Sequence, residues 1–121
     1  NLAAAYNNLG YAYGNLGQYQ KAIEYCQKAI QLDPNLAGAY NNLGYAYGNL
    51  GQYQKEIEYY QKAIQLDPNL AGAYNNLGYA YYKLSNYPEA KKNFLKAKEL
   101  YQTQGDYQNA QIVEELLKKL P

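Results

Sequence analysis

The chain has 121 residues with a net charge of +1, no histidine, and 18 tyrosines against one phenylalanine and no tryptophan. A near-neutral chain without a basic cluster lacks the electrostatic footprint of a nucleic-acid-binding protein, and no apolar run reaches the roughly 20 residues that a membrane helix requires. The single cysteine cannot form an internal disulfide, which favours a reducing compartment such as the cytoplasm.

The sequence repeats itself with a period of 34 residues, and residues 3–36 and 37–70 are nearly identical. The three differences between these copies are Ala4/Gly38, Ala22/Glu56 and Cys26/Tyr60. A fixed period of this length predicts a stacked array, in which no unit can bury its apolar face alone. We therefore expect one domain with repeats at 3–36, 37–70 and 71–104 and a capping helix at 105–121.

Each repeat is predicted to form two helices. Spacings of three and four indicate a helical apolar face in the first, made of Tyr6, Leu9, Gly10, Tyr13 and Leu16. The second helix should bury Tyr19, Ala22, Ile23, Cys26, Ala29 and Ile30. Gly17 fits a left-handed cap between the two helices. Asp33 precedes a proline, which disfavours helical angles and ends the second helix.

One glycine per repeat lies inside a predicted first helix, where glycine costs about 1 kcal/mol relative to alanine. These glycines are Gly10, Gly44 and Gly78. Their recurrence predicts close approach of the partner helix, with Ala22 and Ala90 as the small residues opposite. Glu56 takes that place in the second repeat, and we expect its carboxylate to turn outward or to force the helices apart.

The third repeat departs from the pattern after Tyr81. Ser85 replaces the glycine cap, and Pro88 falls in a first helical turn, where proline is tolerated. No Asp-Pro pair follows Leu100, so its second helix should be longer and span about 88–103.

A last helix follows a Gly-Asp-Tyr turn at residues 105–107. Its expected inward residues are Tyr107, Ala110, Val113, Leu116, Leu117 and Leu120. Its polar opposite side suits the terminal unit of an array. An alternative register pairs helices at 91–104 and 106–120, and both registers give helix–turn–helix.

The recurring motif resembles the tetratricopeptide repeat. It reads Tyr6-x-x-Leu9-Gly10-x-x-Tyr13, then Gly17-x-Tyr19-x-x-Ala22, Ala29 and Asp33-Pro34. The resemblance covers essentially the whole chain, with departures at Glu56, Ser85 and the tyrosines 6, 40 and 74, where the family often has tryptophan. It implies an all-α, right-handed α-solenoid whose first helices line a concave face. It also implies a scaffold that holds a peptide or protein partner in that groove.

The first helices carry a second face, outside the core stripe, that is uncharged in the first two repeats. The candidate peptide-binding residues are Asn7, Asn8, Tyr11, Asn15, Asn41, Asn42, Tyr45, Asn49, Asn75, Asn76, Tyr79, Tyr82 and Lys83. An asparagine amide can bond a peptide C=O and N–H at once, and tyrosine adds flat apolar area with a polar tip. The asparagines at 8, 42 and 76 resemble the asparagine ladder of O-linked N-acetylglucosamine transferases and kinesin light chains. We predict a groove for an extended, roughly neutral peptide.

Acidic chaperone tails do not fit this face, because Asn7 and Tyr11 stand where the family's cationic clamp would be expected. A simpler interpretation of the asparagines is that they only solubilise a helix and recur through duplication. Tyr6, Tyr13 and Tyr19 are expected in the core. Cys26 aligns with Tyr60 and Phe94 and is expected to be a buried spacer.

Nothing in the sequence supports catalysis, a metal or a cofactor, since histidine, a Gly-rich phosphate loop and a metal-ligand set are missing. The rival hypothesis is a structural array without a dedicated peptide ligand, which self-associates end to end through an uncapped first helix or by stacking on the Tyr25/Tyr59 edge. This hypothesis is based on the first two residues, Asn1-Leu2. The same pair follows each Asp-Pro later in the sequence, which predicts that a preceding repeat has been removed. A third possibility is a duplicated or idealised folding unit without a ligand, although the helix glycines, Cys26 and Glu56 favour a natural array.

Overall fold

Seven helices and no strand make up the computed structural model, which describes all residues from 1 to 121. They are α1 Leu2–Asn15, α2 Tyr19–Leu32, α3 Ala37–Asn49, α4 Tyr53–Leu66, α5 Ala71–Lys83, α6 Tyr87–Thr103 and α7 Tyr107–Lys118. The predicted all-α fold of paired helices is confirmed, including the longer α6. None of the helices combines the length and apolarity needed to cross a membrane. Contacts group the chain into unit 1, Asn1–Pro68, and unit 2, Asn69–Pro121.

The same tight turn joins the two helices of every pair. At the end of α1, the Gln18 N–H donates to the Tyr13 carbonyl over 2.9 Å, and the Gly17 N–H donates to the Gly14 carbonyl over 3.1 Å. This pair of hydrogen bonds requires a residue in the left-handed backbone conformation. Gly17 adopts that conformation, with φ +76°. Ser85 takes the same conformation with φ +61°, so the turn persists where the glycine is lost.

The Asp-Pro pairs end the second helices of both complete repeats, as predicted. Asp33 leaves the helix with an extended backbone, φ −142° and ψ 93°. Its side chain then accepts a hydrogen bond from the Asn35 N–H over 3.1 Å. The chain is thereby redirected into α3 within four residues.

The core of unit 1 is shared between its two repeats. Ala22, Ile23 and Cys26 of α2 cluster with Leu43, Ala46 and Tyr47 of α3. Helix α1 packs on α2, and α3 contacts α1, α2 and α4. Each repeat of this unit therefore completes the burial of the other, as the 34-residue period predicts.

Close helix approach at the internal glycines is confirmed, but the residue opposite is not the expected one. A Cβ on Gly10 would lie 2.5 Å from Cys26 Sγ and 3.2 Å from the Ala22 carbonyl oxygen. The Ala22 side chain instead faces Gly14, whose Cβ would stand 4.0 Å away in ordinary contact. Two helical turns of α1 therefore meet α2 at different distances.

Glu56 contradicts the expectation that it would turn outward. Its side chain is buried, with 4% exposure, and its carboxylate occupies the space in which a Cβ on Gly48 would lie. The Tyr60 hydroxyl donates to Glu56 Oε2 over 3.3 Å. Burial, reinforced by this carboxylate, raises the pKa of Tyr60 above its ordinary value, so the phenol stays protonated as the donor. The glycine at 48 makes room for the acid, and the helices are not forced apart.

Unit 2 has its own core beneath α7. Ala90, Phe94 and Ala97 of α6 cluster with Val113, and the side chains packed around them are Tyr74, Tyr81, Tyr101, Leu116, Leu117 and Leu120. An ion pair between Lys98 and Glu114 also joins α6 to α7. Tyr107 was expected to face inward, but it is 69% exposed because it begins the helix at the edge of this core.

Two leucines of the predicted core stripe on α1 are exposed. Leu9 is 42% and Leu16 is 69% exposed, whereas Leu43, the equivalent of Leu9 in α3, is 1% exposed. The difference follows from packing, since α3 lies against α1 and α2 as well as α4, whereas α1 contacts only α2 and α3 in this structure.

Two glycines of α1 provide a matched test of this packing. Gly10→Ala should lower the free energy of unfolding by about 1–2 kcal/mol, because the new methyl group overlaps Cys26 and the α2 backbone. Gly14→Ala should raise it by up to about 1 kcal/mol through helix propensity. Urea denaturation of both variants measures the two effects. Equal stability of the two variants would show that α1 and α2 do not approach as closely as described.

A double-mutant cycle tests the buried Glu56–Tyr60 contact. Tyr60→Phe should cost about 1 kcal/mol in the original chain, because a buried carboxylate loses a donor. In a Glu56→Ala background the same change should cost much less, since Phe94 and Ala90 already occupy these two places in the third repeat. The same cost in both backgrounds would contradict the contact.

Candidate functional site

The first helices of unit 1 present asparagine side chains that are partly engaged with each other. Asn42 Nδ2 donates to Asn7 Oδ1 over 2.8 Å, which links α3 to α1 in a half-buried position. Asn7 also lies above Gly38, where a Cβ would stand 3.3 Å from its Nδ2. Asn42 therefore keeps its Oδ1 and one N–H for another partner. The predicted ladder position in the second repeat thus has a structural role as well.

The α1 portion of this surface is open to solvent. Asn8, Tyr11 and Asn15 follow one another at spacings of three and four and are all exposed, with Tyr11 at 59%. No Lys, Arg, Asp or Glu occurs in α1 or α3. This surface is therefore polar through amides and phenols and carries no formal charge of its own.

The α3 portion is more ordered by its surroundings. The Tyr45 ring lies edge-on to Tyr19 with centroids 6.3 Å apart, and it passes beside Gly14. Asn49 Nδ2 donates to the Tyr45 carbonyl over 2.9 Å within its own helix. Asn41 is half-buried. Tyr45 remains 42% exposed and is held in place by the ring of the preceding repeat.

In unit 2 the corresponding residues lie on α5. Asn75 Oδ1 is a buried oxygen without a hydrogen-bond partner, whereas Asn76 is half-buried. Tyr79 meets Phe94 edge-on at 5.5 Å, and Tyr82 meets Tyr87 in the same way at 5.7 Å. Both exposed tyrosines are thereby fixed against α6. Lys83, in the last turn of α5, is the one cation of the predicted set.

Glu56 is a residue of this region that sequence reasoning missed. Its carboxylate contacts the α3 backbone at Gly48, on the helix that carries Tyr45 and Asn49. The Glu56 carboxyl group is buried beneath the uncharged surface of α3. The signal in the sequence was the glycine at 48, which leaves space for a longer side chain in the facing helix.

A second feature missed from the sequence is a stack of three tyrosines on another side of each pair in unit 1. Tyr25 lies between Tyr6 and Tyr13, with centroid distances of 5.9 and 5.4 Å. Lys28 covers the rings of Tyr6 and Tyr25, at 5.6 and 5.1 Å from their centroids. Tyr40, Tyr59 and Tyr47 repeat the stack in the second pair. Tyr6 and Tyr13 and their repeats Tyr40 and Tyr47 were expected in the core, and of these four only Tyr47 is buried.

Catalytic chemistry has no support in these residues. Cys26 is fully buried, and burial raises the pKa of its thiol to about 12, so the nucleophilic thiolate is not formed at neutral pH. No group of three His, Cys, Asp or Glu side chains is arranged to hold a metal ion. Cys26 is therefore a spacer beneath Gly10, in the place that Tyr60 and Phe94 take in the other repeats.

Solved structures similar to this chain share its fold. MamA is 38% identical over 87% of this chain, with a TM-score of 0.77, and the chain spans 61% of the MamA chain. The second tetratricopeptide domain of Spaghetti (RPAP3), bound to the HSP90 peptide SRMEEVD, is 27% identical over 82% of this chain and 92% of its own, with a TM-score of 0.77. The TPR2B domain of yeast Sti1, in complex with an Hsp70 peptide, is 23% identical over 97% of this chain and 94% of its own, with a TM-score of 0.90. No curated protein sequence matches the chain significantly.

Models of one family match three stretches of the sequence. Each is described as a tetratricopeptide repeat, and they cover residues 3–36, 37–70 and 59–92. Together with the paired helices and their left-handed turns, these matches show that the chain belongs to the tetratricopeptide repeat family.

Proposed function

We propose that this chain is a protein-interaction module that binds an extended, roughly neutral peptide. The binding surface is the Asn/Tyr face, defined as the thirteen residues predicted from the sequence. The observation that carries the proposal is the absence of any Lys, Arg, Asp or Glu from α1 and α3, which nevertheless expose Asn8, Tyr11 and Tyr45.

The side-chain chemistry of this face suits a peptide backbone. An asparagine amide offers two donors and an acceptor, so it can pair with both polar groups of a peptide unit. Tyr11 and Tyr45 supply exposed ring area beside these amides, and rings lose little conformational entropy on binding. Because the Tyr45 ring already contacts Tyr19, it should lose less conformational freedom when a peptide binds.

Asn75 carries a side-chain oxygen that lacks a hydrogen-bond donor. Its Oδ1 is buried without a partner, and such a group costs about 1–3 kcal/mol. A peptide N–H that reached this oxygen would recover part of that cost. The α5 portion of the face thus contains an acceptor that a peptide donor satisfies only when the Asn75 side chain exposes this oxygen.

The ligand of the Spaghetti domain differs in charge from the ligand that we expect for this chain. The peptide it binds, SRMEEVD, is acidic, and acidic residues are held best by Lys or Arg. In this chain α1 and α3 have no cation, and Lys83 is the one cation of the face. We infer that this chain also binds a peptide, that the peptide lies along its own first helices, and that it is neutral.

Members of this family generally act as scaffolds and not as enzymes, and the role proposed for this chain agrees with that. Its charged side chains lie mostly on α2, α4, α6 and α7. There they form surface ion pairs such as Lys28–Glu24, 3.6 Å apart. Such exposed pairs contribute little to binding or stability.

Removing the three ladder amides tests the proposal. The triple change Asn8→Ala, Asn42→Ala and Asn76→Ala should lower the affinity for the best ligand of a peptide library at least tenfold. Each hydrogen bond from a side-chain amide contributes about 0.5–1.5 kcal/mol to binding. Fluorescence titration measures the affinity, and thermal melting confirms that the fold persists.

The matched control removes three amides from exposed positions of second helices, at Gln20, Gln27 and Gln54. This triple alanine variant should bind as the original chain does. Unchanged affinity in the asparagine variant, or equal loss in both variants, would reject the ladder mechanism.

Salt dependence tests the neutrality of the interface. Because the face carries one cation at most, the affinity should change little between low and high salt, in contrast to a charge-driven complex. Calorimetric titration in both buffers gives the comparison, with Lys83→Ala as the variant that removes the one charge. A steep loss of affinity with added salt would show that the ligand binds the charged helices instead.

A further inference from the structure

Each repeat of unit 1 holds one pair of tyrosine rings in nearly parallel contact. The centroids of Tyr13 and Tyr25 are 5.4 Å apart, with 8° between the ring planes. Those of Tyr47 and Tyr59 are 5.5 Å apart, with 10° between the planes. The two pairs occupy equivalent positions of the 34-residue period, and each joins the first helix of its repeat to the second. The same geometry is therefore built twice.

Other tyrosine contacts of the chain are longer or more tilted. Tyr6 stacks on Tyr25 at 5.9 Å and 22°, and Tyr19 meets Tyr45 edge-on at 6.3 Å and 67°. Two phenoxyl radicals form a carbon–carbon bond only when the π orbitals, which stand perpendicular to the rings, overlap between the reacting carbons. Nearly parallel rings in contact meet this requirement, and edge-on rings do not.

We propose that Tyr13–Tyr25 and Tyr47–Tyr59 are oxidative modification sites, at which a haem peroxidase using hydrogen peroxide joins the two rings as dityrosine. Each phenol gives up one electron and one proton and becomes a phenoxyl radical. The radicals couple between the ring carbons that neighbour the hydroxyl-bearing carbons, which forms one C–C bond. Each coupled carbon then loses its proton while the phenol oxygen regains one. Each link consumes one hydrogen peroxide, which takes up the two electrons and two protons and becomes two water molecules.

The surroundings of the rings suit this chemistry. Lys21 Nζ lies 5.3 Å from the Tyr13 centroid, and Lys28 Nζ lies 5.1 Å from that of Tyr25. A positively charged ring is unfavourable beside these cations, so the proton should leave together with the electron. Burial raises the pKa of Tyr59, which is therefore a neutral phenol at neutral pH. Tyr13, Tyr25 and Tyr59 are half-buried, and part of each pair stays open to solvent.

Contact between the rings favours a link within the chain over a link between chains. Groups held together in a reactive arrangement have a far higher effective concentration than groups on separate molecules in dilute solution. Tyr107 is more exposed, at 69%, and belongs to no stacked pair. Its radical has to meet another chain before it can couple.

The third repeat lacks the pair and serves as an internal comparison. Tyr81 keeps the position of Tyr13, but Asn93 stands at the position of Tyr25 and Tyr59. Asparagine forms no phenoxyl radical. Oxidation should therefore link the helices of the first two repeats and leave those of the third unlinked.

Peroxidase and hydrogen peroxide applied to the 121-residue chain at low concentration test the proposal. The intact mass should fall by four hydrogen atoms, two for each link, while the chain stays monomeric. Trypsin cuts after lysine and should release residues 1–21 joined to 22–28, and 29–55 joined to 56–62. Fragmentation of these peptides should place each bond on its stacked pair. The linked chain should also unfold at a higher urea concentration than the untreated chain, because each link closes a loop in the unfolded state.

Two variants separate the stacked pairs from tyrosine oxidation in general. The double change Tyr25→Phe and Tyr59→Phe keeps a ring in each stack but removes the phenol, so both links should be lost. Tyr107→Phe removes an exposed tyrosine outside the pairs and is the matched control, which should keep both links. Circular dichroism verifies that both variants are folded. Links that form only between chains, links that join exposed tyrosines instead of the stacked pairs, or links that survive the double change would overturn the proposal.

Discussion

Unit 1 depends on one packing relationship, the burial of α2 by α3. Ala22, Ile23 and Cys26 of α2 form one buried cluster with Leu43 and Tyr47 of the next repeat. Sharing a core in this way fixes which side of each first helix is buried. The helix glycines bring α1 and α2 near enough for Cys26 to be fully enclosed. The other sides of α1 and α3 are then free to carry residues that stability does not require.

Two different surfaces follow from that arrangement. One bears amides and phenols without charge, and the other bears stacked tyrosines beside lysines. The Asn42–Asn7 bond shows that the first surface also contributes to the fold, since it joins α3 to α1. Tyr45 is likewise positioned by Tyr19 of the preceding repeat. Preorganised side chains of this kind lose less entropy when a ligand binds.

Much of the fold could be predicted from the sequence, because the 34-residue period and the turn residues are local signals. Gly17 and Asp33 mark helix ends through backbone angles that neighbouring residues dictate. The inward orientation of the Glu56 side chain could not be predicted, because it depends on the space left beside Gly48 in another helix. The exposure of Leu9 depends on whether a helix lies outside α1, which its own spacing does not encode. The composition of the Asn/Tyr face was readable, whereas the pairing of Asn42 with Asn7 depends on how α3 is rotated against α1. Its role in binding stays a prediction.

The central claim is that the Asn/Tyr face, with Lys83 as its single charged residue, receives the peptide. Nuclear magnetic resonance of the asparagine and glutamine side-chain amides tests it most directly, because these groups report contact at single residues. On titration with the best neutral peptide, we predict that the amide signals of Asn8, Asn42 and Asn76 shift while those of Gln20, Gln27 and Gln54 stay in place. Shifts confined to the glutamines of the second helices would contradict the account.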